Sequence, residues 1–207
     1  GINHAEQSGL LLMTNATPRQ SYYLYSTPFS SQWLDYLEGE FIFTENLNPL
    51  IYNDMLVRLY VHDYGWEQEK RWNERFSNIT LDLGKKNINE LIAKSRLFVS
   101  TYNAATYLES FTMDVPTVAF WNPKHWEIRD SAVPYFDGLK RVGILHETPE
   151  SAAFHISDVW DDIDAWWESQ SVRQTLNQFK TQYCNISCDL VSSIEAELKD
   201  EILNCPV

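Results

Sequence analysis

Short apolar runs alternate with longer amphipathic segments along most of the chain. The apolar runs are continuous and do not alternate with polar residues, which is typical of strands buried on both faces of a parallel sheet. The segments between them carry apolar residues at helical spacing, as at Trp33, Leu37 and Phe41. This order predicts an α/β fold, a Rossmann-like doubly wound parallel sheet with helices on both faces.

Capping patterns mark the start of two of the predicted helices. Asn87 with Glu90 three residues later has the spacing of a capping box, and Thr148 followed by a proline is a strong helix start. From Thr148 the pattern predicts one long helix that runs through the tryptophan pair at 166–167, whose rings we expect to pack. Residues 170–203 are also predicted to be helical. The predicted strands are GLLLMT, MLVRLYVH, NITLD, LFVS, PTVAFW and VGILH.

The segments that follow four of these strands are dense in polar and aromatic residues. They read NATPRQSYYLYSTP, DYGW, STYNAAT and NPKHWEIR, whereas segments leading into strands, such as KSR, are plain. One exception is LGKKN, which follows a strand and is also plain. Ligands of open parallel sheets bind beyond the carboxyl ends of the strands. We therefore expect residues 15–25, 62–66, 100–106 and 121–129 to lie at one binding edge.

The segment after LFVS carries more hydrogen-bonding side chains than a simple connection needs. The helix that follows is predicted to begin near residue 104 or 105, and its free N–H groups and positive dipole end suit a phosphate. An acid one turn into this helix could accept hydrogen bonds from a ribose diol. The alternative is that Thr101 or Asn103 only caps the helix. The candidate phosphate- and ribose-binding residues are Ser100, Thr101, Asn103, Thr106 and Glu109.

The segment after the second predicted strand begins with His62, directly at the strand end. A histidine there can donate to a phosphate oxygen or act as an acid or base near neutral pH. Asp63 beside it is a candidate base, nucleophile or turn former. Both are our catalytic candidates, and the alternative for His62 is a hydrogen-bonded structural role.

Two further segments supply cations for an anionic donor. Lys124, His125 and Arg129 follow the fifth predicted strand, in a chain with only 16 lysines and arginines. The alternative there is a surface cluster whose Trp126 packs into the core. Arg19 follows the first strand beside the tyrosines of YYLY, which could stack on a base or a sugar.

Composition narrows the class of ligand and the location. A net charge of −13 argues against broad binding to nucleic acid or anionic lipid, although a few local donors can hold a small anion. No apolar run approaches the roughly 20 residues that span a bilayer, and no signal peptide is visible, so we expect a cytoplasmic protein. Cys184, Cys188 and Cys205 lack the neighbours of a zinc site, and we expect free thiols and no metal.

Four stretches of the chain resemble a family of bacterial surface-polysaccharide transferases. They are LVRLYVHDYGW, STYNAATYLES, VPTVAFWNPKHWEIRDSAVPYF and VGILHETPESAA, and the resemblance covers most of residues 10–180. Members of this family are O-antigen or capsule biosynthesis enzymes of the GT-B class. Such enzymes pair two Rossmann-like domains, of which the C-terminal one usually binds the nucleotide sugar. The resemblance implies that this chain is the donor-binding C-terminal half of a longer glycosyltransferase.

The resemblance also implies roles for particular segments. Residues 100–106 with Glu109 would contact the phosphate and ribose of the donor, and His62 matches the position of a phosphate-contacting histidine. We expect a nucleotide-sugar-binding domain over residues 9–168 and a helical extension over 169–207. The implied partners are a nucleotide-sugar donor, a glycan or lipid-linked acceptor and the N-terminal half of the same protein. No cofactor is expected, and membrane contact would be peripheral, at the inner face.

One departure from the GT-B pattern leaves the nucleotide open. The chain lacks a second acid spaced as in the two-glutamate ribose motif of many GT-B enzymes. Transferases of CMP-Kdo type also use a histidine and Ser/Thr loops, so a CMP-linked donor stays open. Two different functions are also compatible with the sequence. One is a non-catalytic module that binds a nucleotide sugar or a partner, and the second is a nucleotide-sugar epimerase, since epimerases share the GT-B architecture.

Overall fold

The residues that the structure describes form one six-stranded parallel sheet, in the order β3-β2-β1-β4-β5-β6. The computed structural model describes residues 7–20, 28 and 31–184, together with 192, 194, 195, 198 and 199. The predicted Rossmann-like parallel fold is therefore confirmed. The strands are β1 (Leu10–Met13), β2 (Met55–Arg58), β3 (Thr80–Asp82), β4 (Leu97–Ser100), β5 (Thr117–Phe120) and β6 (Leu145–His146).

Helices connect the strands and cover both faces of the sheet. In chain order, the first helix (Gln32–Glu45) packs against the seventh (Pro149–Val159). The ninth (Gln170–Tyr183) packs against the fifth (Ala105–Thr112) and the sixth (Val133–Arg141). None of the described helices is both long and apolar enough to cross a membrane. The helices are α1 (Gln32–Glu45), α2 (Pro49–Asn53), α3 (Gln68–Arg75), α4 (Ile88–Lys94), α5 (Ala105–Thr112), α6 (Val133–Arg141), α7 (Pro149–Val159), α8 (Ile163–Trp167) and α9 (Gln170–Tyr183).

The strand order reverses between β1 and β4, which lie side by side at the centre of the sheet. From β1 the chain moves outward through β2 to β3, and from β4 it moves the other way to β6. Met13 pairs with both Arg58 and Ser100, so β1, β2 and β4 end level with one another. Because crossovers between parallel strands are right-handed, α1 and α5 lie on opposite faces and a crevice opens between their starts.

The second strand is shorter than the sequence predicts. MLVRLYVH suggested a strand that reaches His62, but β2 ends at Arg58, and Val61 is 57% exposed. Its neighbour β3 ends at Asp82, and Gly84 follows at positive φ, packed closely against Val61. His62 therefore lies in the connection beyond the strand, not at the strand end.

The long helix predicted from Thr148 is broken into two helices. α7 ends at Val159, a 3-10 turn covers Trp160–Asp162, and α8 follows. The break has a local cause, because the Asp162 carboxylate caps α8 by accepting a hydrogen bond from the N–H of Ala165 at 3.1 Å. The tryptophan pair packs as expected: Trp167 is buried, and Trp166 donates to a backbone carbonyl at 3.0 Å.

Candidate functional site

The connection from β4 to α5 ends in a helix start that no described side chain caps. Ala104 occupies the N-cap position with an extended backbone and makes no side-chain hydrogen bond to the helix. The alternative that Thr101 or Asn103 caps this helix is wrong, since Asn103 instead accepts a hydrogen bond from the Tyr107 hydroxyl at 2.9 Å. Ala105, the first helical residue, is exposed. The first N–H groups of α5 therefore lie at the carboxyl edge of the sheet without a side-chain acceptor.

Two of the predicted phosphate donors instead hold the connection in place. Ser100 is fully buried and donates to the carbonyl of Tyr102 at 3.0 Å. Thr101 is 1% exposed and donates to the carbonyl of Met13 at 2.8 Å, which ties the end of β4 to the end of β1. Both hydroxyls are thus engaged within the protein. Asn103 and Thr106 are half-buried and hydrogen-bonded to the side chains of Tyr107 and Tyr102, and Glu109 is exposed.

A buried cluster of three side chains lies beneath this connection. The Tyr36 hydroxyl lies 2.5 Å from the Thr101 hydroxyl, and the Glu40 carboxyl lies 3.2 Å from it. Burial raises the pKa of Glu40 to about 8, against the opposing effect of its hydrogen bonds with Tyr36 and Thr101. The Glu40 carboxyl is therefore mostly protonated at neutral pH. It can then donate a hydrogen bond within a cluster whose threonine proton already points to Met13.

Sequence reasoning missed Tyr36 and Glu40. Both lie on α1, whose buried face also includes Trp33, Leu37 and Phe41. Glu40 follows Tyr36 by four residues and Leu37 by three, so helical spacing places its carboxyl on the buried stripe. That acid on an apolar helix face was the available signal, because a buried glutamate must be neutral or paired.

A cavity of about 510 Å³ opens beside the cluster. It lies between the first half of α1, the segment after β5 and the start of α7, and Tyr36 and Thr101 line one wall. Of the three cations predicted after β5, Lys124 and His125 line this cavity, while Arg129 is exposed and does not. The three are thus not gathered at one point.

Two residues that line this cavity each have a polar atom without a hydrogen-bond partner among the described residues. The atoms are Nδ1 of His125 and Nε1 of Trp126, and both atoms are buried. Burial is the main reason that the pKa of His125 is lowered; the Asp35 carboxylate opposes the shift and Lys124 adds to it. The imidazole is therefore mostly neutral at pH 7. Trp126 is only 4% exposed, as expected of a residue that packs into the core.

The connection after β2 places the two catalytic candidates in different surroundings. His62 is exposed and lies near the rings of Tyr60 and Tyr64. The Asp63 carboxylate accepts hydrogen bonds from the backbone N–H groups of Gly65, Glu67 and Gln68, at 3.1, 2.9 and 2.7 Å. Partial burial raises the pKa of Asp63, but these hydrogen bonds outweigh it and lower the pKa overall. Asp63 is thus the cap of α3.

The remaining predicted groups lie elsewhere along the edge. Arg19 is exposed, donates to the carbonyl of Gly65 at 3.3 Å and lies over the ring of Trp66. Cys184 is a free thiol. In the described ranges no three His, Cys, Asp or Glu side chains are grouped to hold a metal ion. Tyr22, Tyr23, Tyr25, Cys188 and Cys205 lie outside the described residues.

Comparisons with known proteins give a family and a fold. A family model described as "LIC12162 family transferase" matches residues 1–198. Two solved structures of the wall teichoic acid polymerase TagF are similar, at 15% sequence identity and TM-scores of 0.51 and 0.47; the second is of a variant soaked with CDPG. They cover 97% of this chain but only 45% and 44% of the polymerase chains, so the chain spans less than half of their length. A comparison with curated protein sequences gave no match.

Proposed function

The chain belongs to the LIC12162 family of transferases, and from this we propose that it is the donor-binding domain of a GT-B-type glycosyltransferase. In this proposal the enzyme transfers a sugar from a nucleotide sugar to a surface-polysaccharide acceptor. The parallel sheet with its central reversal supports the proposal, because such sheets bind nucleotides at the crevice where the strand order reverses. The other half of the cleft would belong to a second Rossmann-like domain of the same protein.

The observation that carries the proposal is the uncapped start of α5. Three other helices that follow strands have their first N–H groups satisfied by a side chain: Asp63 for α3, Asn87 for α4 and Thr148 for α7. The N-cap residues of α1, α5 and α6 make no such side-chain hydrogen bond, but only at α5 among these three does the N-cap residue, Ala104, have an extended backbone. Free N–H groups and the positive end of a helix dipole favour a phosphate, and they stabilise charge on a leaving nucleotide without a metal ion.

Accessible side chains complete the proposed donor site. Thr106 lies in the first turn of α5, where its hydroxyl bonds the Tyr102 side chain, and it would add a phosphate contact by exchanging that partner. Glu109, exposed about one turn further, would accept hydrogen bonds from ribose hydroxyls. His62 keeps its proposed place as a phosphate contact from the neighbouring connection, and Asp63 supports the backbone that carries it. Thr101 acts indirectly, through the hydrogen bond that fixes the connection before α5.

Calorimetric titration of the chain with CMP, CDP, UDP and GDP tests this proposal. We expect weak but measurable binding of at least one nucleoside diphosphate, since half of the cleft lies on the other domain. The informative variant is Ala105→Pro, because proline is tolerated at the first helical position, and the extended backbone of Ala104 suits a residue before proline. The change removes one N–H donor and should weaken binding about tenfold, as expected for a hydrogen bond to a charged group.

The matched control is Pro149→Ala. Pro149 is the first residue of α7, and its replacement should leave nucleotide affinity unchanged. If no nucleotide binds the wild-type chain even at millimolar concentration, the donor-binding proposal fails. The alternative of a partner-binding module would then gain support.

A further inference from the structure

We infer that the cavity between α1, the segment after β5 and the start of α7 binds a saccharide ring. The inference deepens the proposed function and rests on it only for which saccharide is bound. The chemistry of the cavity wall carries the inference itself. No part of it depends on the N–H groups of α5, so the two sites can be tested separately.

Aromatic side chains form much of the wall. Phe120, Trp121 and Trp126 line the cavity, and each is 4% exposed, so their positions are fixed by the core. Tyr36 of α1 also lines the cavity, and its ring packs edge-on against Trp126 with the ring centroids 5.8 Å apart. The volume of about 510 Å³ falls within the range of roughly 300–1,000 Å³ that small-molecule sites occupy. Rigid aromatic rings beside such a space suit the flat apolar C–H face of a sugar ring.

Polar groups of the residues that line the cavity favour a ligand that both accepts and donates hydrogen bonds. The indole N–H of Trp126 is buried and unpartnered among the described residues, and an indole nitrogen can only donate. Its partner must therefore be an acceptor, such as a hydroxyl oxygen. The carboxylates of Asp35 and Glu150 also line the cavity and can only accept. A polyhydroxylated ring satisfies both demands, because each hydroxyl is a donor and an acceptor.

The charge of the lining argues against an anion in this cavity. Four carboxylates line it, against Lys124 and the imidazole of His125, which is mostly neutral because burial lowers its pKa. Glu147 is paired with Lys140 at 2.5 Å, and Glu38 lies 3.5 Å from Arg75. Asp35 and Glu150 then remain against one lysine. The start of α7 is also capped by Thr148, so it does not offer the open helix end found at α5.

The saccharide could be the sugar of the donor or a sugar of the acceptor, and both share this ring chemistry. Thr101 links the two sites, since it lines the cavity and precedes the N-cap of α5 by three residues. A donor whose phosphate lies at α5 could place its sugar in the cavity. An acceptor sugar could occupy the same space while the nucleotide is bound. The titrations below separate these sources.

The test follows the indole N–H signal of Trp126 by ¹H–¹⁵N NMR of the whole chain, assigned with Trp126→Phe. The probes are free glucose, galactose, rhamnose and N-acetylglucosamine, with glycerol as a polyol without a ring. We expect at least one sugar, but not glycerol, to shift the Trp126 signal saturably as its N–H gains an acceptor. The internal control is Trp72, whose N–H is likewise buried and unpartnered but does not line the cavity.

Two substitutions of polar residues that line the cavity sharpen the test without disturbing the core. Asp35→Asn and Glu150→Gln each replace a carboxylate acceptor with an amide. Each should lower the affinity for the sugar on the order of tenfold. The free sugar that binds is then titrated in the presence of a nucleotide sugar that carries the same ring. Competition between the two would assign the cavity to the donor's sugar, and simultaneous binding would assign it to the acceptor's. Either result supports the inference.

Two results would overturn it. One is that no sugar shifts the Trp126 signal even at high millimolar concentration while a nucleoside diphosphate still binds, which leaves the proposed function standing. The other is that inorganic phosphate or a simple amine shifts the signal and the sugars do not. Sugar binding without any nucleotide binding would instead support the cavity and remove the proposed donor site.

Discussion

The connections after β2 and after β4 both lead into a helix at the carboxyl edge of the sheet, and they use their side chains in opposite ways. After β2, the Asp63 carboxylate accepts three backbone N–H groups and closes the start of α3. After β4, Ser100 and Thr101 turn their hydroxyls inward to backbone carbonyls, and Ala104 leaves the start of α5 open. The first connection uses its charged group to hold its own backbone. The second fixes its backbone with buried hydroxyls, which leaves main-chain donors for a ligand.

The largest expected effect is on the free energy of unfolding, through the buried Glu40 beneath the connection after β4. Glu40 is protonated in the folded protein up to a pKa of about 8, against an ordinary value near 4.5. The folded state therefore binds more protons than the unfolded state between these values. The stability that this provides is full below pH 4.5 and is lost as the pH rises toward 8. We expect the free energy of unfolding to fall by roughly 2–4 kcal/mol over that interval.

Glu40→Gln isolates this contribution, because glutamine resembles the protonated acid and cannot ionise. Urea unfolding at pH 5 and pH 8 should show a variant close to wild type at pH 5 and more stable at pH 8. Glu38→Gln is the matched control on the same helix, where the side chain is exposed and partly paired with Arg75. An unchanged pH profile in Glu40→Gln would show that Glu40 is ionised in the folded protein.

The next effect concerns Thr101, whose hydroxyl donates to the Met13 carbonyl and lies against Tyr36. Thr101→Val keeps the shape and leaves these buried polar groups without their partner. We expect a loss of stability of about 1–3 kcal/mol in chemical denaturation, while nucleotide affinity of the folded protein changes little. The opposite pattern, an intact stability and a large affinity loss, would make Thr101 a direct phosphate ligand.

A smaller effect is expected at the first connection. Asp63→Ala removes the cap of α3 and should lower stability by about 1–2 kcal/mol, with nucleotide affinity unchanged. The lowered pKa of Asp63 means that this contribution is present at neutral pH and is lost as the pH falls through the folded-state pKa. Thermal melts at pH 7 measure the difference, and Glu74→Ala near the end of α3 serves as the surface control. A strong loss of nucleotide affinity in Asp63→Ala would contradict this prediction and show that Asp63 contributes to nucleotide binding.

The sheet could be predicted from sequence because its strands are continuous apolar runs between amphipathic helices. The succession of strands along the chain and the caps at Asn87 and Thr148 were predicted from such local signals, and the structure has both caps. The end of β2 could not be predicted from MLVRLYVH, because it depends on the pairing with the neighbouring β3, which ends at Asp82. Pattern alone does not contain that information.

The site was less accessible to sequence reasoning for a physical reason. A hydroxyl or carboxylate shows its chemistry in the sequence, but its direction depends on tertiary packing. Thr101 was predicted to bind phosphate or cap α5, and Asp63 to be a base, a nucleophile or a turn former. In the structure their oxygens bond backbone groups of the protein. The donors that the proposal now relies on are backbone N–H groups of α5, which every helix start has. The missing side-chain cap is shared with α1 and α6, so α5 is distinguished by that absence together with the extended backbone of Ala104.

One substitution tests the central claim, that the open start of α5 is a phosphate site. Ala104 has the extended backbone of an N-cap, so Ala104→Asp should cap the helix and raise stability by about 1 kcal/mol, or a few degrees in the melting midpoint. The same carboxylate would occupy the N–H groups and repel a phosphate. Ala104→Asn is the matched neutral cap, with a similar gain in stability and a smaller loss of affinity.

The measurement is therefore a thermal melt and a nucleoside diphosphate titration on the same preparation of Ala104→Asp. We expect a protein that melts at a higher temperature than wild type and binds the nucleotide at least about tenfold more weakly. A protein that gains stability and keeps its full nucleotide affinity would contradict it, because the helix start would then be open without serving a ligand.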